Sequence, residues 1–501
     1  MTVQSADPAL YPHALSESTV KTLRRPLFGH VIEGETVPAL DGATMPVIDP
    51  ATGIRTATAA AGTSDDVTAA VRSARTAFDD GRWRLLAPLE KERRLRRLAA
   101  LLAERADLFG EIDVIDAGLL RGYTTFVVDG AVAGVEYYAG WPTKLHGTIP
   151  AVPSEFAVYE MREPIGVIGM IMPWNGPTFV LGFVAAALAA GNTVVLKPAE
   201  QTPLSAVLMA ELALEAGIPP GVFNVVQGLG ETVGAALVTA PEVDAVSFTG
   251  SVATGSAIQA AAAARVKRVS LELGGKSAFI VFPDADLEAA ATSAAMGVWG
   301  ASGQVCTAAT RVLAHRDIRD EFVSLVLDRS RDLRLGSGFD PATQMGPVVS
   351  ADQLARVQSY VDIGRAEGAE LVLGGERHGD VGFFHQPTVF TGVRNDMRIA
   401  REEIFGPVMS VLDFGSEDEA YAIANDSDYG LAAGVWTENL SLAHRASRAL
   451  RTGTVWVNTY QMVYPTVPYG GVKLSGHGRA LGAAALDDLT VPKSVWMKVG
   501  S

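Results

Sequence analysis

One residue in this chain is a candidate nucleophile by type alone. Cys306 is the single cysteine of 501 residues, set in Gly303-Gln304-Val305-Cys306 just past an alanine-rich stretch broken at Gly300. A thiol of ordinary pKa, about 8.5, is only a few per cent thiolate at neutral pH, so as a nucleophile it needs help from its surroundings. Without that help Cys306 reads as a small buried hydrophobe. Glu272, in Leu271-Glu272-Leu273-Gly274-Gly275, is the second focus. An acid flanked by leucines at the end of a buried strand is either a paired structural group or a carboxyl whose desolvation raises its pKa and suits it to act as a general base.

Other residues sit where a predicted strand gives way to a helix. Such junctions expose backbone N–H groups and the positive end of a helix dipole, which together favour a pyrophosphate. Phe248-Thr249-Gly250-Ser251, with Gly255 further on, is one; Gly228 to Gly234 is another, though it has one residue too many for G-x-G-x-x-G. Each also reads as a tight turn that needs glycine. Lys197-Pro198-Ala199-Glu200 places a cation and an acid at a strand end. There a glutamate can accept hydrogen bonds from a ribose diol and repel a 2′-phosphate, favouring NAD over NADP, or it is simply half of a surface ion pair. The eight histidines are scattered, with no H-E-x-x-H and no paired cysteines, so no metal site is expected.

The elements that would hold these groups follow from hydrophobic pattern. Short apolar runs alternate with helices and predict strands near 165–172, 193–196, 223–226, 245–248 and 268–271, an arrangement of parallel strands with crossover helices. Gly191 and Gly217 fall where the left-handed residue after a helix belongs, and Thr202-Pro203 reads as an N-cap with proline at the first helical position. A second α/β set begins near Lys276, with a strand at 278–282, a helix from Leu287, and later strands near 408–414 and 455–458. Before Gly140 the pattern is helical, with Ser64 as an N-cap for 65–79 and another helix over about 89–108. The stretches 141–163 and 491–499 are β-like without a helical partner and suit strands added to a neighbour.

Composition narrows the class. With 48% hydrophobic and 19% charged residues, the chain is ordinary globular protein, long enough for two or three domains. A net charge of −15 repels nucleic-acid phosphates and anionic lipid. The basic run from Lys91 to Arg97 is interrupted by Glu92 and Leu95 and reads as the wet face of a helix. Residues 1–20 lack a basic start with an apolar core, so a cytoplasmic location is expected. From Pro164 to Leu196 there is no charge, but Pro173, Asn175, Pro177 and Asn192 argue against a membrane span.

Taken together, several segments resemble the aldehyde dehydrogenase superfamily of hydrolytic type. They are Pro173-Trp174-Asn175, Lys197 to Glu200, Phe248 to Ser251, Leu271 to Lys276, Gly303 to Cys306, Glu402-Glu403-Ile404-Phe405-Gly406-Pro407 and Pro468-Tyr469-Gly470-Gly471, in that order over nearly the whole chain. The resemblance implies a Rossmann-like NAD-binding domain over 1–140 and 164–275, an α/β catalytic domain over 276–480, and a small β oligomerisation arm over 141–163 and 485–501. It also implies a homodimer or homotetramer acting on a small aldehyde.

By position, the resemblance makes Cys306 the nucleophile, Glu272 the base that activates water against a thioester, and the Asn175 amide with the Cys306 N–H the donors to the oxyanion. Lys197 and Glu200 would hold the adenosine ribose, Gly250 and Ser251 would form the pyrophosphate turn, and Glu403 with Phe405 would contact the nicotinamide ribose and ring. Met172, Pro173, Trp174, Ala199, Gly230, Phe248, Leu273 and Gly274 would be further cofactor contacts. Trp174, Phe179, Phe183, Trp299, Val305, Tyr464 and Tyr469 would line the substrate tunnel. Aromatic walls with few charges suit an apolar or aromatic aldehyde. A CoA-acylating relative and a catalytically silent NAD-binding member are the competing readings. Three positions depart from the family pattern: Gly176 where an aromatic is common, Ala480 where Gly-Arg-Glu would end in an acid, and Asp116-Ala117-Gly118-Leu119-Leu120 in place of Gly-Lys-Pro. The first should widen the tunnel, the second removes a carboxylate near Glu272, and the third has no functional account in the sequence.

Overall fold

The computed structural model describes residues 15–499. The reading of residues 1–20 as free of a secretion signal therefore lies mostly outside the described residues. Two large sheets carry the architecture. In the eight-stranded one, five strands run parallel in the spatial order Arg268–Leu273, Ala245–Gly250, Val167–Ile171, Thr193–Lys197, Phe223–Val225. Val167–Ile171 and Thr193–Lys197 are buried at every position, as strands covered on both faces must be. The hairpin His30–Ile32 and Glu35–Val37 closes one edge in antiparallel sense. At the other edge Gly476–His477, from the C-terminal part of the chain, pairs with Leu271 and Glu272. The chain stretch 276–480 thus reaches back into the first sheet at the strand that carries Glu272.

The seven-stranded sheet runs Glu370–Leu373, Thr388–Thr391, Val408–Phe414, Arg311–His315, Ala278–Val281, Ala432–Trp436, Thr454–Val457, parallel except for its first strand. The helix Leu287–Trp299 starts where the sequence places it, with Asp286 as its N-cap. The two β-like stretches without a helical partner pair with each other: Phe156–Pro164 and Thr490–Lys498 form an antiparallel ribbon over nine residue pairs. Tyr159, Met161, Trp496 and Met497 remain exposed on it.

Three local expectations need correction. The helix Ser64–Asp79 is capped by Thr63, not Ser64, in a reciprocal box with Asp66. The helix expected over 89–108 is two, Pro88–Glu104 and Ala106–Ala117, broken at Arg105. Thr202 does not cap the helix Leu204–Glu215; the Leu204 N–H donates to the Asp116 carboxylate at 3.0 Å, so the cap comes from a distant helix. Its neighbour Asp113 accepts from Ser205 Oγ and the Thr178 N–H. These two buried acids give the unexplained Asp116 segment a structural role. Gly118, at φ +70°, ends their helix against Pro347, which a Cβ there would meet at 2.7 Å. Gly191 and Gly217 are left-handed as expected, at φ +97° and +85°. The uncharged stretch 164–196 is strand, loop, helix and strand, and no helix among the described residues is long and apolar enough to cross a membrane.

Candidate active site

The strand order fixes where a ligand can approach. Val167–Ile171 is flanked by the strand that follows it and by one from later in the chain, a switch in winding that opens a crevice at the carboxyl ends. Register brings the expected residues to that edge: Ile171 lies between Lys197 and Phe248, and Gly250 beside Leu273. Met172 binds the Lys197 carbonyl through its N–H, and Pro173-Trp174-Asn175 leaves the sheet between the two neighbours. The buried Lys197 ammonium pairs with the half-exposed Glu200 carboxylate at 2.7 Å. Ser251 caps the helix Val252–Ala263, accepting from the Thr254 N–H, and stands exposed at its N-terminus. Gly250 is crowded by the Phe248 ring, 2.5 Å from where a Cβ would be. Gly230 is exposed with open space around it, so its type is not required by contact.

Cys306 is half-buried and free. The turn that presents it is held by Gln304, whose Oε1 accepts from the Val349 N–H at 2.8 Å, and by Ser302, which donates to the Gly346 carbonyl at 2.7 Å. Asn175 Nδ2 donates to the Gln304 carbonyl at 2.9 Å, which brings the amide to this same turn. Burial pushes the Cys306 thiol up to about 11, against a hydrogen bond with Tyr469 that lowers it; Glu403 and Glu272 raise it further. Gly275 passes so close that a Cβ would stand 2.8 Å from the Cys306 carbonyl oxygen.

Burial also pushes Glu272 up, to about 8, opposed by the Ala480 N–H and the charge of Arg479. Its Oε1 accepts from Ala480 at 3.2 Å, while Oε2 is buried without a partner. A cavity behind it is lined by Glu272, Arg479, Ala480, Ser270 and Asp488. Glu403 lies over the glycine pair: its Oε1 accepts from the Gly275 N–H at 3.1 Å, and burial raises its pKa to about 7. Phe405, at φ +61°, packs edge-on to Trp174 at 5.2 Å. Gln353 and Arg356, on the helix Ala351–Ala366, hold that loop by its carbonyls.

The tunnel residues divide. Phe179 and Phe183 stack edge-on at 5.7 Å. Val305 is half-buried beside Ala117, Leu119 and Ala301, and Tyr464 is exposed. Tyr469 reaches the thiol itself, its hydroxyl 3.1 Å from Sγ. Trp299 does not belong with them. Its ring is 3% exposed within the core of the second sheet, and its Nε1–H donates to Ser330 Oγ at 2.9 Å, so it is a packed core residue. Gly176 leaves space, with only the Phe179 Cβ near where a side chain would start. Sequence reasoning missed Tyr123 and Tyr460, whose phenols are raised mainly by burial and then by the proximity of Cys306. Their distance along the chain hid them; the buried, aromatic character of 456–460 was the only signal.

The chain and its fold match a known family. The model of the aldehyde dehydrogenase family matches residues 37–495, and the chain belongs to that family. It is 44% identical over 470 residues to a putative aldehyde dehydrogenase of Bacillus subtilis, covering 93% of this chain and 95% of that protein. Against cytosolic aldehyde dehydrogenase 1 of Rattus norvegicus it is 44% identical over 473 residues, 93% of this chain and 94% of the relative. Among solved structures, the NAD+ complex of an aldehyde dehydrogenase from Bacillus cereus superposes with a TM-score of 0.96 at 41% identity, over 97% of this chain and 99% of that one. An indole-3-acetaldehyde dehydrogenase of P. syringae, in complex with NAD+ and IAA, gives 0.93 at 42% identity, over 96% and 98%.

Proposed function

We propose that this protein oxidises an apolar or aromatic aldehyde to the carboxylic acid with NAD, through a thiohemiacetal and then a thioester on Cys306, the latter hydrolysed by water that Glu272 activates. One observation carries the reading: the bridge between Tyr469 and Ala480 gathers the only thiol of the chain, 3.1 Å from the Tyr469 hydroxyl, and the buried Glu272 carboxyl, which accepts from the Ala480 N–H at 3.2 Å. The Asn175 amide on the same turn adds a donor beside them.

The residues present fit NAD. The Lys197–Glu200 pair can offer its carboxylate to a ribose diol, the capped N-terminus of Val252–Ala263 suits a pyrophosphate, and Glu403 with Phe405 borders the glycine pair on the nicotinamide side. When bound, NAD supplies the acceptor for the hydride that the thiohemiacetal carbon must lose. Cys306 Sγ gives up its proton and bonds to the carbonyl carbon, and the oxygen that becomes negative is met by Asn175 Nδ2–H and the Cys306 N–H. Donors aimed where charge develops are worth roughly 3 kcal/mol each. A carboxyl held near pH 8 then accepts a proton from water more readily than an ordinary glutamate would. The half-buried Trp174, Phe179 and Phe183, with the room at Gly176, support an apolar guest.

In the same proposal the eight-stranded sheet is the cofactor domain, the seven-stranded sheet the catalytic domain, and the ribbon 156–164 with 490–498 the arm that joins copies into a homodimer or homotetramer. Its exposed Trp496, Met497 and Tyr159 support that role. A lone functional thiol suits the reducing cytoplasm. The test is direct. Protein, NAD and a panel of aldehydes should yield NADH and free acid; continued turnover by Cys306→Ala, or acyl-CoA formation in place of acid, overturns the reading.

A further inference from the structure

Tyr469 does more than line a wall. Its hydroxyl is 3.1 Å from Cys306 Sγ, the one side-chain hydrogen bond the thiol makes among the described residues. The phenol is held there by backbone: Tyr469 and Ala480 form an isolated antiparallel bridge, exchanging N–H···O bonds of 2.7 and 2.8 Å. The Ala480 N–H in that bridge also reaches Glu272 Oε1 at 3.2 Å. A single bridge therefore sets both the phenol on the sulfur and the donor on the carboxyl.

We propose that Tyr469 is a catalytic residue of the thiol chemistry, its O–H donating to Sγ whenever the sulfur carries negative charge. The proposal rests on the reading of Cys306 as nucleophile and deepens it. The direction of donation follows from acidity: burial, and then the proximity of Cys306, holds the Tyr469 phenol well above its ordinary value, so it keeps its proton when the thiol has lost its own. A charge-assisted hydrogen bond is the means by which a site this desolvated can still yield a thiolate. Of the other groups that bear on the sulfur, the Thr307 N–H alone favours its charge; Glu403 and Glu272 are acids and oppose it, and the Tyr460 hydroxyl donates to the Thr307 carbonyl instead.

The same contact serves the second half of the reaction. Water oxygen bonds to the acyl carbon while its proton passes to the Glu272 carboxylate. The C–S bond then breaks with its electron pair on Sγ, where the Tyr469 O–H meets it, until the sulfur takes the proton back from Glu272. Loss of the phenol oxygen should slow both the attack and this departure.

Alkylation by iodoacetamide tests the proposal, because only one cysteine can react. In Tyr469→Phe the ring stays and one oxygen goes. Its plot of log rate against pH should move to higher pH by about one unit, a rate roughly tenfold lower at any neutral pH, with an unchanged melting temperature. Tyr469→Leu should show the same displacement. In turnover, kcat should fall in Tyr469→Phe with KM little changed. Coincident alkylation profiles for the wild type and Tyr469→Phe overturn the proposal, as does a displacement seen only with leucine, which would make the ring a packing element. Alkylation needs neither NAD nor aldehyde, so that failure is separate from NADH formation by Cys306→Ala, which would remove the nucleophile itself.

Discussion

Gly303 and Gly406 touch through their backbones: a Cβ on Gly303 would lie 1.9 Å from the Gly406 carbonyl oxygen, and Gly303 itself has φ +72°. No side chain fits there on either ground. The contact clamps the turn of Cys306 onto the loop of Glu402 to Pro407, and so ties the thiol to the loop that lays Glu403 over Gly275.

Gly303→Ala should therefore separate the two loops. The left-handed conformation alone costs roughly 1–2 kcal/mol for a residue with a Cβ, and the clash adds to it. We expect a lower denaturant midpoint and kcat/KM reduced by at least about tenfold, since small misplacements of reacting groups are expensive. A variant with wild-type values of both would show that the clamp does not position the thiol.

Much of this was readable in advance, and the reasons for the exceptions are physical. The parallel strands announced themselves because burial on both faces demands unbroken apolar runs, as in Val167–Ile171 and Thr193–Lys197. Gly191 and Gly217 were readable because the turn after a helix needs their left-handed backbone. The segments that the fold gathers around Cys306 were legible because each is compact in sequence. What escaped depends on contacts between distant segments: the Asp116 cap on Leu204, the approach of Tyr123 to Cys306, and the retreat of Trp299 into the second core. No local pattern distinguishes a tryptophan lining a tunnel from one whose indole N–H finds Ser330.

The Asp116 cap can be tested against its own charge. One oxygen accepts from the Leu204 N–H, the other is buried without a partner, and burial holds the acid well above its usual range. Asp116→Ala removes the acceptor and should cost about 1–2 kcal/mol, as lost N-caps do. Asp116→Asn keeps an acceptor and has no charge to desolvate, so it should cost less. Urea melts of the two variants decide this; equal losses would mean that the cap is not what the carboxyl supplies.

Glu200 should govern coenzyme choice. In the proposed cofactor site its carboxylate, held by Lys197 at 2.7 Å, would meet a 2′-phosphate as a second negative charge. Glu200→Ser should narrow the preference for NAD over NADP by at least about tenfold, a difference of roughly 1.4 kcal/mol in relative binding. Titration of both coenzymes against the two proteins measures it. An unchanged ratio would leave Glu200 as a structural partner of Lys197 only.

If the ribbon is the arm proposed above, a second copy of the chain should cover its exposed apolar side chains. Trp496 is 60% and Met497 45% exposed, on a strand whose partner also exposes Tyr159 and Met161. Replacing Trp496 and Met497 by serine leaves the nine ribbon pairings intact, since these use the backbone. Sedimentation should then show smaller species than the wild type at the same concentration. An unaltered distribution would place the contact between copies elsewhere.

In the proposed mechanism the pH dependence of turnover follows from Glu272. A carboxyl acts as a base only when ionised, and burial raises its pKa from 4.5 to about 8. Hydrolysis of the thioester should therefore be slow near pH 6 and rise through about pH 8, whereas an ordinary glutamate would already be saturated. Stability runs the other way. The folded state holds a proton that the unfolded state has released between about pH 4.5 and 8, so this group lowers stability as pH rises through that window and no further above it. Glu272→Gln should abolish the limb of kcat near pH 8 and flatten the corresponding loss of stability. Single-turnover hydrolysis and urea midpoints at a series of pH values give both curves. A wild-type rate already at its plateau at pH 6 would mean that this carboxyl is ionised in the acyl-enzyme and that its burial is relieved there.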